Sequence, residues 1–202
     1  SLFPDTSYGV ESGGDPEFIP DLTQKEFTEF HKKYYHPSNS YIFLYGDGNI
    51  DEQLQFISEK YLNNFDKIQI ESAIKLQKPF SKMKEVKMDY PISCDDDEKG
   101  KTFLSLNFVS GDNVSHPEMH LALEILEYLL LESAAAPLKK ALVDAEIGKD
   151  VFGSFDNSIL QPVFSIVVKN SNESEKEKFK EVVFTTLKNL VKNGINKKLI
   201  QA

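Results

Sequence analysis

The sequence predicts an α+β fold, and three observations carry that expectation. Apolar residues recur at three- and four-residue spacing in several stretches of helical length. Between them lie short apolar or alternating runs of strand length. With 202 residues, 40% apolar and 27% charged, the chain is long and apolar enough to bury a core, as one ordinary domain or two small ones.

Residues 1–21 are turn-rich, with Pro4, Gly9, Gly13, Gly14, Pro16 and Pro20 closely spaced, and read as a loop laid on a surface. A helix starts at Thr23, where Glu26 completes a capping box and Leu22 and Phe27 occupy staple positions; it runs through Phe30 and Tyr34 and stops before Pro37. Residues 40–46 form a continuous apolar run read as a central strand. A second helix follows Asp51, with Leu54, Ile57, Tyr61, Leu62 and Phe65 on one stripe.

Residues 66–80 lose periodicity and read as a linker, and residues 83–90 alternate. An acidic turn at 95–100 leads into a strand over 101–110. Ser115 and Glu118 form another capping box, opening a helix so apolar over 121–131 that it is expected to be largely buried. A shorter helix uses Leu138, Ala141, Leu142 and Ala145, with Gly148 as its terminating residue. Strands near 149–157 and 162–169 precede an amphipathic helix carrying Phe179, Val182, Val183, Leu187 and Leu190 and ending at Gly194. Residues 196–202 read as the start of a further helix.

Composition excludes several classes. The 32 acidic against 23 basic side chains, a net −9, disfavour a nucleic-acid partner, because phosphate neutralisation needs clustered cations. No apolar run has the length of a membrane span, and the first residues carry neither a basic nor an apolar leader region. A single cysteine, Cys94, excludes an intrachain disulfide and reads as a structural or incidental thiol. All basic residues are lysine, so no arginine clamps a carboxylate or phosphate; base composition of the genome is the simpler reason.

Each chemical constellation has a plainer reading. His116 and His120 have the i, i+4 spacing of zinc-binding helices, but Glu118 lies about 200° around the helix from His116, and Glu124 about 12 Å along it. A solvent-facing His120/Glu124 pair is expected instead. His31 and His36 are rotated by roughly 140° on a helix and do not share an ion. The acidic run 95–100 mimics a calcium loop, yet Lys99 and Leu106 stand at ligand positions, so a hairpin turn is expected. Gly46-Asp47-Gly48 suggests a dinucleotide loop, but Asp51 occupies the third glycine position, where its charge repels a pyrophosphate. No catalytic, cofactor-binding or metal-binding residue is assigned.

Four segments in order nevertheless resemble one family: YGVESGGDP at 8–16, IPDLT at 19–23, FHKKYYHPSN at 30–39 and LYGD at 44–47. Together they look like the pitrilysin/insulinase-type zinc metalloproteases, in the branch of the presequence proteases and falcilysin. The likeness is sharpest in the first 50 residues and extends through 101–110, 138–148 and the helix ending at Gly194. It implies LuxS/metallohydrolase-like α+β domains of the insulinase type, with a mixed or antiparallel sheet, helices packed on one face, and truncation at both ends. It divides the chain into 1–66 (end of the first, catalytic domain), 67–80 (linker) and 81–202 (start of a second, non-catalytic domain). In that family zinc is held by an inverted His-x-x-Glu-His helix and a later glutamate, and the motif's glutamate activates the metal-bound water. No His in this sequence is followed three residues later by Glu-His, so the resemblance implies that ligands and base lie upstream. The family's C-terminal Arg and Tyr are expected downstream. The chain itself is expected to be inactive and metal-free, a piece of a zinc metallopeptidase that hydrolyses peptides in a closed chamber; the alternative is a catalytically dead structural or binding subunit. The parent's partners are then peptides, with no nucleic acid and no membrane. The compartment expected is the cytoplasm, with a mitochondrial or plastid matrix as the alternative. Apolar faces carrying Phe30, Ile42, Leu44, Ile57 and Leu62 are expected to lack cover and to promote self-association.

Overall fold

The computed structural model describes residues 1–111, 117–133, 135–197 and 200. The chain divides into two compact units, one of residues 6–75 and one of residues 1–5 with 76–202.

In the unit of residues 6–75, α1 (Gln24–Tyr34) begins with the capping box the sequence predicts. The Thr23 Oγ1 accepts the Glu26 amide at 3.2 Å, and the Glu26 carboxylate accepts the Thr23 amide at 2.9 Å. These bonds satisfy donors the first helical turn leaves open. The Thr23 hydroxyl, donating to the Glu26 carboxylate at 2.7 Å, and then the Thr23 amide hold the Glu26 carboxyl below its ordinary range. α2 (Ile50–Lys60) starts one residue before Asp51, because Asn49 supplies the cap: its Oδ1 accepts the amides of Asp51 and Glu52. Residues 40–46 are the first correction. They belong to no ladder, since the sheet of the described residues draws its strands from 102–171. Apolar content favours strand geometry but cannot supply the neighbouring backbone a ladder requires. None of residues 6–75, all described, is buried.

In the second unit, β1 (Thr102–Val109), β2 (Asp150–Asp156) and β3 (Val163–Ser171) form an antiparallel sheet of order β1-β3-β2. The strands are amphipathic with period two. Leu104 and Leu106 pair with Val168 and Ile166, and Val151 lies opposite Val168, so one face of all three strands is apolar. That face packs on α4 (Pro137–Asp144) and α5 (Lys176–Asn193), burying Leu138, Leu142, Phe179 and Val183. The other face carries Ser105, Asn107 and Ser165, joined by side-chain hydrogen bonds of 2.8 Å. Phe3 is buried, and Gln77 links the Asp5 segment to Gln161.

Residues 83–90, which alternate in sequence, belong to no strand; they are held by Lys87–Glu173 and Glu85–Lys176 ion pairs at 2.9 and 2.5 Å and by the Tyr90 hydroxyl donating to the Lys101 carbonyl. Two further expectations change. Apolar residues 121–131 are only partly buried. α3 (Pro117–Glu127) buries none of its side chains, whereas the following π-turn, Tyr128–Glu132, buries Leu129, Leu130 and Leu131. Of these, Leu130 and Leu131 join the core formed with the sheet. Gly148 does not terminate α4: Glu146, at φ 54°, takes the left-handed position after the cap. Gly148 instead lies where a side chain would strike β3. At α5 the prediction holds, with Gly194 at φ 77° and its amide donating to the Leu190 carbonyl at 2.8 Å. Ser115, His116 and most of the helix expected from residue 196 lie outside the described residues.

Candidate functional site

An open groove of about 1030 Å³ lies within the unit of residues 6–75. Its walls come from three places. α1 and the chain after it supply Phe30, Tyr34, Tyr35, His36 and Asn39; α2 and the following turn supply Ile57, Tyr61, Leu62 and Phe65; residues 71–73 close one side.

Polar contacts set this shape. The Asn39 side-chain amide donates to the Tyr34 carbonyl at 2.9 Å, ending α1, and the Ser72 hydroxyl donates to Asn39 Oδ1. The Ile68 amide donates to the Ser38 hydroxyl at 3.1 Å, so residues 68–72 are strapped to the turn after α1. The aromatic rings then face each other: Phe30 and Tyr34 lie 4.7 Å apart, and His36 meets the Phe65 ring edge-on at 5.2 Å. Glu71 is the one carboxylate in the lining and His36 the one imidazole. The His36 Nδ1 accepts the Ser38 amide at 3.1 Å. Such a wall holds apolar and aromatic groups; it carries no acid–base pair poised for bond cleavage.

His116 lies outside the described residues, and the other weighed constellations are not brought together. His31 stacks on Tyr35 at 4.8 Å, while His36 turns toward Ser38 and Phe65. His120 lies against the Phe155 ring, and the Glu124 carboxylate accepts the Asn157 side-chain amide at 2.5 Å. The acidic turn is closed from within: Lys101 pairs with Asp96 at 3.1 Å, and Asp97 accepts the Lys99 amide. Cys94 is exposed. Among the described residues no three His, Cys, Asp or Glu side chains group to hold a metal ion. No helix of the described residues is long and apolar enough to cross a membrane. Tyr35 is the groove residue that helical periodicity misses; the signal available was a Tyr-Tyr pair directly before His-Pro, where one ring must leave the helix stripe.

One ionisable group stands out elsewhere. Burial raises the Glu127 carboxyl above its ordinary range, with Glu132 adding to the shift, and its Oε1 has no hydrogen-bond partner. It sits where α3 passes into the π-turn.

Comparison with known proteins decides the family. Residues 21–202 match the family model described as peptidase M16 inactive domain. The chain belongs to the peptidase M16 family. Among curated relatives, HypA of Clostridium perfringens is 55% identical over 202 residues, all of this chain and 21% of that protein. Presequence protease 1, chloroplastic/mitochondrial, of Arabidopsis thaliana is 38% identical over 205 residues, all of this chain and 19% of that protein. The mitochondrial presequence protease of Danio rerio is 33% identical over 208 residues, again the whole chain and 20% of the relative. The M16 chain thus spans about a fifth of the length of these relatives. A crystal structure of a protease from Helicobacter pylori superposes with a TM-score of 0.56 at 20% identity, covering 93% of this chain and 44% of that one. That likeness establishes a shared fold. The resemblance drawn from the four motifs is therefore correct as to family, and the relatives include presequence proteases.

Proposed function

We propose that this M16 chain is a non-catalytic part of a zinc-dependent peptidase of the presequence-protease type, which hydrolyses peptides inside a closed chamber. The observation that supports the reading is similarity to presequence proteases over the whole of this chain and about a fifth of theirs, at 38% and 33% identity. In this proposal residues 1–66 end a first LuxS/metallohydrolase-like domain, 67–80 link, and 81–202 begin a second. Their contribution is to shape and close the chamber.

The zinc that the family implies does not fit the described residues. Among the described residues the imidazoles lie apart, His31 on Tyr35, His36 on Ser38 and Phe65, His120 against Phe155, and no three ligating side chains converge. No step of hydrolysis is derived through the metal from this chain. The proposal places ligands and general base on other segments of the longer protein.

The test compares this 202-residue chain with the protein encoded by its complete reading frame. The expected result is chelator-sensitive peptide hydrolysis and stoichiometric zinc in the complete protein, with neither in this chain. Zinc and turnover on the chain by itself would overturn the proposal. A second reading, a catalytically dead binding subunit, is favoured by the description of the matched model as an inactive domain. A reading frame that lacks His-x-x-Glu-His would decide for it. For the compartment, the names of the plant and fish relatives support an organellar matrix, whereas HypA comes from a bacterium.

A further inference from the structure

We propose that Gln161, in the turn between β2 and β3, is the pin of a two-stage latch that fastens Asp5 and Gln77, which flank the 6–75 segment, to the second unit. The proposal does not rest on the peptidase reading.

The latch consists of two carboxamides in series. The Gln161 side chain stands in for a neighbouring strand beside Gln77: its Oε1 accepts the Gln77 amide at 2.5 Å, and its Nε2 donates to the Gln77 carbonyl at 3.2 Å. The Gln77 side chain repeats the pattern on Asp5. Its Oε1 accepts the Asp5 amide at 2.9 Å, and its Nε2 donates to Asp5 Oδ2 at 2.6 Å. Partners in these bonds stand 72 and 84 positions apart in the chain. Burial gives the contacts weight. Gln77 and Gln161 are 6% and 9% exposed, and Ser171 is the one other buried polar side chain among the described residues. A buried carboxamide left without its partner is destabilising, because it has given up water and gained nothing in return. The pin itself is firmly mounted: Pro162, the next residue, is buried, and its carbonyl accepts the Ser110 amide at 2.9 Å, at the end of β1.

Connection in series gives the latch an order. Asp5 is held through the Gln77 side chain, Gln77 is held through its own backbone, and both holds end on Gln161. Loss of the Gln77 side chain therefore frees Asp5 alone. Loss of the Gln161 side chain frees both residues in one event. The two points where the chain passes into and out of residues 6–75 thus share one release, and the β2–β3 turn controls it.

The experiment is amide hydrogen exchange of the 202-residue chain, read at Asp5 and Gln77, with Val168 in the central strand as the control for folding. Gln161→Ala is expected to speed exchange at both Asp5 and Gln77 by about tenfold or more while Val168 keeps its protection. Gln77→Ala retains the backbone bonds to Gln161 and is expected to speed exchange at Asp5 alone. Gln161→Glu keeps the acceptor and loses the donor: at pH 7 its carboxylate faces the Gln77 carbonyl, whereas the protonated acid donates to it. Its excess exchange over the wild type at the same pH is therefore expected to vanish as pH falls to about 4, a response that side-chain bulk alone does not give. Protection of Asp5 that survives Gln161→Ala, release of Gln77 by Gln77→Ala, or a pH-independent Gln161→Glu effect overturns the proposal. Should Gln161→Ala expose Val168 as well, the pH profile of Gln161→Glu decides by the same criterion.

Discussion

Gly148→Ala separates two readings of one residue. As a helix terminator, Gly148 would need a left-handed backbone, and asparagine would serve nearly as well. The structure gives that backbone to Glu146 and places Gly148 against β3. A β-carbon there would lie 2.5 Å from the Lys169 carbonyl oxygen and also strike the Val168 side chain. Ordinary contact begins at 3.4 Å, so the shortfall is about 0.9 Å. The obstacle is backbone of the central strand, held by the Lys149 amide donating to that same carbonyl at 3.0 Å. Moving it disturbs pairing with β2, where Asp150 lies opposite Lys169. Overpacking of this kind costs about 1–3 kcal/mol. For a unit of this size, a loss near 2 kcal/mol lowers Tm by roughly 6 °C. Thermal unfolding followed by far-ultraviolet circular dichroism measures it. Gly148→Asn, being larger, should lose more, and Glu146→Gly should be neutral or stabilising because it relieves the left-handed strain. A Gly148→Ala protein that melts with the wild type, or an asparagine variant milder than the alanine one, would refute the close-approach argument.

Two further outcomes are expected. Because burial raises the Glu127 carboxyl, the folded state binds its proton more tightly than the unfolded chain does; the group's favourable contribution is complete at low pH and is lost as pH rises through the folded-state value. Glu127→Gln should therefore raise Tm at pH 7, with the gain vanishing as pH falls to about 4, and a pH-independent difference would contradict this. Thr23→Ala removes the α1 cap and should cost about 1 kcal/mol, read as faster amide exchange over residues 24–27 with the second unit unchanged.

Helix caps and amphipathic strands were legible because they are local. Thr23 and Glu26 bond each other across one turn, and the alternation in β1 and β3 records which face meets the helices. Residues 40–46 read as a strand for a reason that does not suffice: apolar content marks a segment suited to a ladder, while the ladder depends on a second segment arriving alongside. Likewise, 121–131 reads as a predominantly apolar helix, and only the π-turn at Tyr128–Glu132 decides that Leu129, Leu130 and Leu131 are buried while Met119, Leu121 and Ile125 stay exposed. The groove was visible in part, through the stripe Leu54, Ile57, Tyr61, Leu62 and Phe65. Its closure by residues 68–72 depends on contacts from Ile68 to Ser38 and from Ser72 to Asn39 that no periodicity announces.

The sequence by itself determined the family, the helix and strand types of most elements, and the lack of a His-x-x-Glu-His motif, since each is written in residue identity and short spacing. Tertiary structure alone decided two other things: that Gly148 makes room for a strand instead of ending a helix, and that Glu127 carries a buried oxygen without a partner. Each of these depends on what lies opposite a residue in space, and segments far apart in the chain supply it.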